Sequence, residues 1–168
     1  MILALLLSVS FADGLALKKQ EKFAEAAGVF ASLVKQDPRD EAALSQLATL
    51  LGWLGRYDES IAAWRRALEV EPNDPDAAIG LARVHYWKGE LQPARAVLAT
   101  LLSKSPANLD ALLLCGDIST AAHDAAGAHD CYLGAKALDP AARGRSQAGR
   151  QAAAPSSVWP PSHRRSSP

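Results

Sequence analysis

The sequence predicts an all-α fold: a solenoid of about four antiparallel helix pairs, followed by a disordered C-terminal tail. Three observations carry that expectation. Pro38, Pro72, Pro106 and Pro140 recur at intervals of 34 residues, the length of one helix–turn–helix unit in a stacked array. Each proline closes an apolar-periodic stretch dominated by Ala and Leu, and no run alternates with the period of two that a half-buried strand needs. After Pro140 the register stops, and residues 141–168 turn to Ala, Arg, Ser and Pro.

Counting back from each proline divides the chain into units 7–40, 41–74, 75–108 and 109–142. Position seven of the units reads Asp13, Leu47, Leu81, Cys115, and position eight reads Gly14, Ala48, Ala82, Gly116. Small residues at position eight are expected to let two helix backbones approach. In the second helices, position twenty holds Ala26, Ser60, Ala94, Ala128, and position twenty-four holds Phe30, Trp64, Leu98, Tyr132. Position twenty-seven holds Leu33, Ala67, Leu101, Ala135. Steps of four and three put these on one helix face. Each unit alone exposes its apolar face, so about three must stack to be stable.

This alternation of small and large residues resembles a tetratricopeptide repeat from about residue 13 to residue 140. The likeness is strongest in the second and third units, where Gly55 and Gly89 stand in the turn between helices. A glycine there takes the left-handed conformation that ends a helix. Glu21 and His123 occupy that place in the first and fourth units, so those turns are expected to be less regular. Asp40, Asp74 and Asn108 stand two residues after a proline, where an N-cap is wanted. Pro75 suits the first helical position. The resemblance implies a right-handed superhelix, with the first helices lining its concave side.

The first twelve residues carry two readings. Ile2–Leu7 is a short apolar run, and Ser10 and Ala12 are the small residues of a secretory cleavage site. A cut after Ala12 would export the chain, to a periplasm or envelope in a bacterial setting. No cation precedes the run, so the other reading makes Ile2–Phe11 the start of the first helix, packed on the second unit in a cytoplasmic protein. The run is too short to span a bilayer as a helix, so no transmembrane span is expected.

Charge hides an asymmetry. Residues 1–140 hold all 18 acidic and 13 basic residues, a net charge of −5. Residues 141–168 hold Arg143, Arg145, Arg150, Arg164 and Arg165 with no acid, a net charge of +5. An acidic array does not favour nucleic acid. The tail reads first as a solvated segment, with its cations free to touch phosphate, membrane or the array. It has no apolar face, Gly144 and Gly149 interrupt it, and Trp159 is isolated among prolines and serines. No polar-faced cap closes the array, which points to a fragment, an out-of-frame tail or a last unit that docks on something else.

Enzyme chemistry has no foothold: no glycine-rich phosphate loop, nucleophile elbow or zinc-type histidine pair occurs. No catalytic residue, metal ligand or cofactor is expected. Asp58, Glu59, Asp74 and Asp76 lie near helix starts, where negative charge meets the helix dipole favourably. Cys115 and Cys131 fall on neighbouring helices of the last unit and are expected to be buried free thiols, with a disulfide the lesser alternative. His85 is expected to be a core histidine.

What remains is binding. In tetratricopeptide proteins the partner commonly lies across positions 2, 5, 6, 9, 12 and 13 of the first helices. Carried over, that concave surface comprises Ser45, Gln46, Thr49 and Trp53, then Asp76, Ile79, Arg83, Tyr86 and Trp87, then Asp110, Leu113, Leu114 and Asp117. Trp53 and Trp87 share a register and have two readings: interface anchors, or packing beneath the glycine turns. The clamp by which some members hold a chaperone's C-terminal carboxylate needs cations where this chain has Phe11, Leu15, Gln46, Asp76 and Gly80, so that use is disfavoured. The expected function is a non-enzymatic scaffold for a protein or peptide; the alternative is a module joining copies end to end. The segments Trp53-Leu54-Gly55 and Trp87-Lys88-Gly89 are also similar to those of bacterial envelope proteins that place a short array before an outer-membrane β-barrel. That implies an envelope-associated partner, although this chain has no barrel-forming strands.

Overall fold

The computed structural model describes residues 10–141. Most of the candidate export segment, and the tail from residue 142 with its five arginines and Trp159, lie outside the described residues. Among the described residues there are eight helices and no strand. In order they are α1 (Phe11–Lys19), α2 (Phe23–Gln36), α3 (Glu41–Trp53), α4 (Tyr57–Val70), α5 (Pro75–Lys88), α6 (Leu91–Lys104), α7 (Leu109–Ala121) and α8 (Ala125–Leu138). The 34-residue period survives in space: second helices start at Phe23, Tyr57, Leu91 and Ala125, and first helices at Glu41, Pro75 and Leu109.

Local chemistry sets these boundaries. Asp40, Asp74 and Asn108 cap α3, α5 and α7, each accepting a backbone N–H from the first turn, and Pro75 opens α5. α1 is capped by Ser10 in a reciprocal box with Asp13: the Asp13 N–H donates to Ser10 Oγ, and the Ser10 N–H donates to Asp13 Oδ2 at 2.9 Å. Phe11 therefore lies inside the first helix. Its ring meets Phe30 of its own unit edge-on at 5.1 Å and packs against the first apolar cluster.

The turns between paired helices correct one expectation. Gly55 and Gly89 take φ of 75° and 87°, and Glu21 and His123 take 60° and 58°. All four turns close with the same backbone bond, from Lys22, Arg56, Glu90 and Asp124 N–H back to Leu17, Leu51, His85 and Ser119 C=O. That is the six-to-one closure of a helix ended by a left-handed residue. Stacking the neighbouring unit demands this geometry, and it overrides the side chain's own preference. The outer turns are thus as regular as the inner ones, but strained by roughly 1–2 kcal/mol each.

Each helix packs on the next, and the first helices also touch one another, α3 with α5 and α5 with α7. The second helices make no comparable contact among themselves. The first helices thus form the crowded inner layer of a solenoid and the second helices the outer one. One apolar cluster runs from Phe23 and Phe30 through Leu44, Leu50 and Trp64 to Leu81 and Val84, with Leu47 packed against it. A second holds Ile79, Leu98, Leu101, Leu114 and Ile118. Val97 packs against both, so the spine continues across the array.

Two of the small residues at position eight, Gly14 and Gly116, have a further purpose beside the close approach expected. A methyl at Gly14 would enter the Phe30 ring, and one at Gly116 would enter the Tyr132 ring. They make room for an aromatic ring. Trp64 leans the other way and lies over Gly80 of the next unit.

Cys115 of α7 and Cys131 of α8 are joined in a disulfide, with their Cα atoms 6.0 Å apart. The free-thiol expectation is therefore corrected: helical rotation brings the two thiols face to face. His85 is 4% exposed, and its Nδ1 lies 2.6 Å from Glu90 Oε2. It is a core histidine with one polar partner.

Candidate partner-binding groove

The inner layer opens into a groove of about 670 Å³ between α3, the end of α4 and the start of α5. α3 contributes Glu41, Ser45, Gln46 and Thr49, and the link into α5 contributes Glu71, Asn73, Asp74 and Asp76. Trp64 reaches the same groove from the outer helix of the pair. The helix period explains the α3 set, because Glu41, Ser45 and Thr49 are spaced by four along one face. Ser45 donates to Glu41 Oε1, and Thr49 Oγ1 donates to the Ser45 carbonyl at 2.9 Å. These bonds hold both hydroxyls along the helix.

Four residues expected on the concave face, Ser45, Gln46, Thr49 and Asp76, therefore share one cavity. The others lie elsewhere. Trp53 is half-buried, meets Phe23 edge-on at 5.4 Å and carries Lys18 Nζ 5.2 Å above its ring. Trp87 is half-buried and packs against the first cluster, within reach of Gly52. Both tryptophans thus join neighbouring units. Tyr86 packs on the second cluster, Leu113 is half-buried, and Asp110 is exposed.

Three expected surface residues are core residues. Ile79 and Leu114 are 5% and 6% exposed, inside the second cluster. Asp117 is 7% exposed and accepts from Tyr132 Oη at 2.7 Å. Ile79 and Leu114 are covered by the second cluster and Asp117 by Tyr132, so their side chains are unavailable to a partner.

Electrostatics favour a negative groove. Its lining residues include Glu41, Glu71, Asp74 and Asp76, while two ammonium groups bond to its walls, Lys18 Nζ to Gln46 Oε1 and Lys104 Nζ to Asn73 Oδ1. Asp74 is partly committed as a cap, accepting from the Asp76 and Ala77 N–H groups at 2.9 and 3.1 Å. Arg83 lies half-buried along the same helix as Asp76. Burial pulls its guanidinium below the ordinary value, while Asp110, Asp117 and Asp76 act to keep it charged.

Two residues escaped the sequence reading. Lys18 donates from Nζ to Gln46 Oε1 at 2.7 Å and so ties the first unit to the groove wall; desolvation lowers its pKa. It occupies position twelve of the first unit, so the register that selected Tyr86 would have found it. Trp64, read as a spine residue, is 7% exposed and yet lines the groove. No sequence signal marks that second role, which depends on which way the ring leans.

The comparisons with known proteins fit this geometry. A family model for the tetratricopeptide repeat matches residues 54–107. The solved structure of MamA superposes with a TM-score of 0.70 at 17% identity, covering 82% of this chain and 84% of that one. YrrB, described as a tetratricopeptide protein with an unusual peptide-binding site, gives a TM-score of 0.70 at 19% identity, covering 80% and 71%. Residues 54–107 thus match the tetratricopeptide repeat, and the helix pairs share its fold. PilF of Pseudomonas aeruginosa superposes with a TM-score of 0.61 at 20% identity, covering 82% of this chain and 64% of that one. Among curated proteins, the CTR9 homologue of Arabidopsis thaliana is 35% identical over 74 residues. That match covers 44% of this chain and only 7% of the relative. Tetratricopeptide arrays generally serve as scaffolds for protein–protein interaction, and none of the described helices is long and apolar enough to cross a membrane.

Proposed function

We propose that this chain is a non-enzymatic scaffold whose concave α3–α5 groove holds a segment of a protein or peptide partner. The observation that carries the reading is the cavity itself: about 670 Å³, on the inner layer, lined by polar side chains from two successive units. YrrB's described peptide-binding site lends support from the same fold. The test is a blocking substitution. Thr49→Arg fills the groove from within, whereas Ala62→Arg alters the exposed outer face of α4. A partner captured from extract by the wild type should be lost with the first and kept with the second. Equal capture by both variants overturns the reading.

End-to-end assembly is the second reading. Leu133 and Leu138 of α8 are 56% and 46% exposed, an apolar presentation on the last helix that suits a second copy. Light scattering that shows concentration-dependent oligomers, abolished by Leu133→Lys with Leu138→Lys, would favour it over the groove.

We propose further that the chain is exported and meets its partner in an envelope compartment. The Cys115–Cys131 bond supports this, since disulfides persist in oxidising surroundings, as do the apolar run and the small residues Ser10 and Ala12. Cleavage after Ala12 would remove the Ser10 cap and the Phe11–Phe30 contact, leaving α1 without Phe11 and Ala12. N-terminal sequencing that returns Asp13 supports export. A chain that begins at Met1, with both cysteines alkylated as thiols, overturns it.

A further inference from the structure

The array makes one kind of junction three times and leaves a fourth open. At each junction the residue at position ten of a first helix enters a socket on the preceding helix pair. Leu50 shares the first apolar cluster with Phe23, Ala26 and Phe30 of the first unit. Val84 Cγ2 lies 3.2 Å from where a Cβ at Gly52 of the second unit would stand. Ile118 shares the second cluster with Ala94 and Leu98 of the third unit. These three knobs are 0%, 2% and 0% exposed. Position thirteen lies on the same helix face, one turn on, and follows the knob in. Trp53 meets Phe23, and Trp87 Cζ3 stands 3.2 Å from the same point at Gly52.

The corresponding walls of the fourth unit enclose a cavity of about 500 Å³, lined by Thr120, His123, Ala125, Ala128, His129 and Tyr132. All six belong to α7, α8 and the turn between them, so among the described residues no following unit closes it. The wall at position twelve sets the size of what enters. Beside Gly52 stands Trp87, whereas after Tyr86 the next unit carries only Ala121 at position thirteen. In the open socket that wall is the short Thr120, and Ala125 stands where earlier units have Phe23 and Tyr57. There is room for an aliphatic knob and a large aromatic together.

This chain does not offer that pair in register. A second copy would bring Ala16 and Lys19 of α1 to positions ten and thirteen. The 34-residue count carried past residue 142 reaches Ala152 and Pro155. We propose that the socket docks an amphipathic helix of a partner protein, which continues the array in trans. That helix presents leucine, isoleucine or valine and, three residues later, tryptophan or phenylalanine, the spacing of a helix laid into an apolar groove. The socket is separate from the α3–α5 groove, so the two assignments stand or fall independently.

The probe is a fluorescent peptide copying residues 75–90, which carries Val84 and Trp87 at the required spacing, titrated against the full chain by anisotropy. It should bind at least about tenfold more tightly than the same peptide with Val84→Asp and Trp87→Asp. In the chain, Ala125→Arg sets a cation in the socket and should cost at least about tenfold. Ala126→Arg, equally exposed but outside the lining, should change nothing. Thr120→Trp fills the cavity from the α7 wall and should match Ala125→Arg. Equal binding of the two peptides, or indifference to both blocking substitutions, overturns the proposal. So does loss of peptide binding with Thr49→Arg instead, which puts the peptide in the α3–α5 groove. Tighter binding after Trp159→Ala assigns the socket to the chain's own segment, and dimers of the chain alone that Ala125→Arg disperses assign it to a second copy. Either result also overturns it.

Discussion

Helices α3–α6 bury Leu44, Leu50, Ile61, Trp64, Leu81 and Leu98, whereas α8 buries only Ala128 and Ala135. The turns differ in the same sense: Gly55 and Gly89 suit their left-handed backbone, but His123 does not. The last unit nevertheless has the same kind of first-helix cap and the same turn closure as the middle ones. It compensates with polar and covalent ties: the Cys115–Cys131 bond, the Tyr132–Asp117 hydrogen bond, and Arg95 Nη2 to Asp124 Oδ2 at 3.0 Å. A repeat backbone can thus be held by an apolar spine or by a few directed bonds. Both kinds reach a neighbour, since Arg95 of the third unit holds Asp124 of the fourth.

The sharpest break in that comparison is chemical. Replacing both cysteines by alanine, or reducing them, opens a loop of 16 residues' separation and should remove roughly 2–4 kcal/mol. Hydrogen exchange should rise in α7 and α8 and stay unchanged in α3–α6; uniform loss would mean that the last unit also props up the middle. Gly80→Ala is next. It forces Trp64 from a site where the ring cannot move, at about 1–3 kcal/mol by denaturant unfolding. Gly116→Ala should cost less, because the half-buried Tyr132 can swing outward.

A paired exchange at the turns tests the strain. His123→Gly should stabilise the chain by about 0.5–1 kcal/mol, and Gly89→Ala should destabilise it by about 1–2 kcal/mol. Opposite signs in thermal melts are the expected result. The smallest effect is with pH. Lys88, then His85, hold the Glu90 carboxyl below its ordinary value of 4.5. Its contribution is therefore present above that value and lost as pH falls through the lower folded one. The drop in melting temperature between pH 6 and strong acid should shrink in Glu90→Gln.

Features fixed by near neighbours in the chain were legible. Asp40, Asp74 and Asn108 were readable as caps because a cap needs only its own helix, and the recurring proline set the register. The conformations of Glu21 and His123 were not, since neither side chain favours positive φ and only the stacked units impose it. The disulfide needed the relative rotation of two helices, which spacing does not specify. In the groove, Ser45, Gln46, Thr49 and Asp76 followed from the register together with the binding positions of the tetratricopeptide proteins that the sequence resembles. The burial of Ile79, Leu114 and Asp117 did not, because it depends on how tightly α7 closes on α5. Trp64 was legible as a large residue on a buried face, but not as a wall of the groove.

The identical closure of all four turns has a consequence for growth of the array. A duplicate of residues 75–108, spliced in after Asn108, would be capped by Asn108, bring its own glycine turn and set its copy of Gly80 opposite Leu98 in place of Trp64. The molecule is in that sense a ladder whose rungs can be added one at a time.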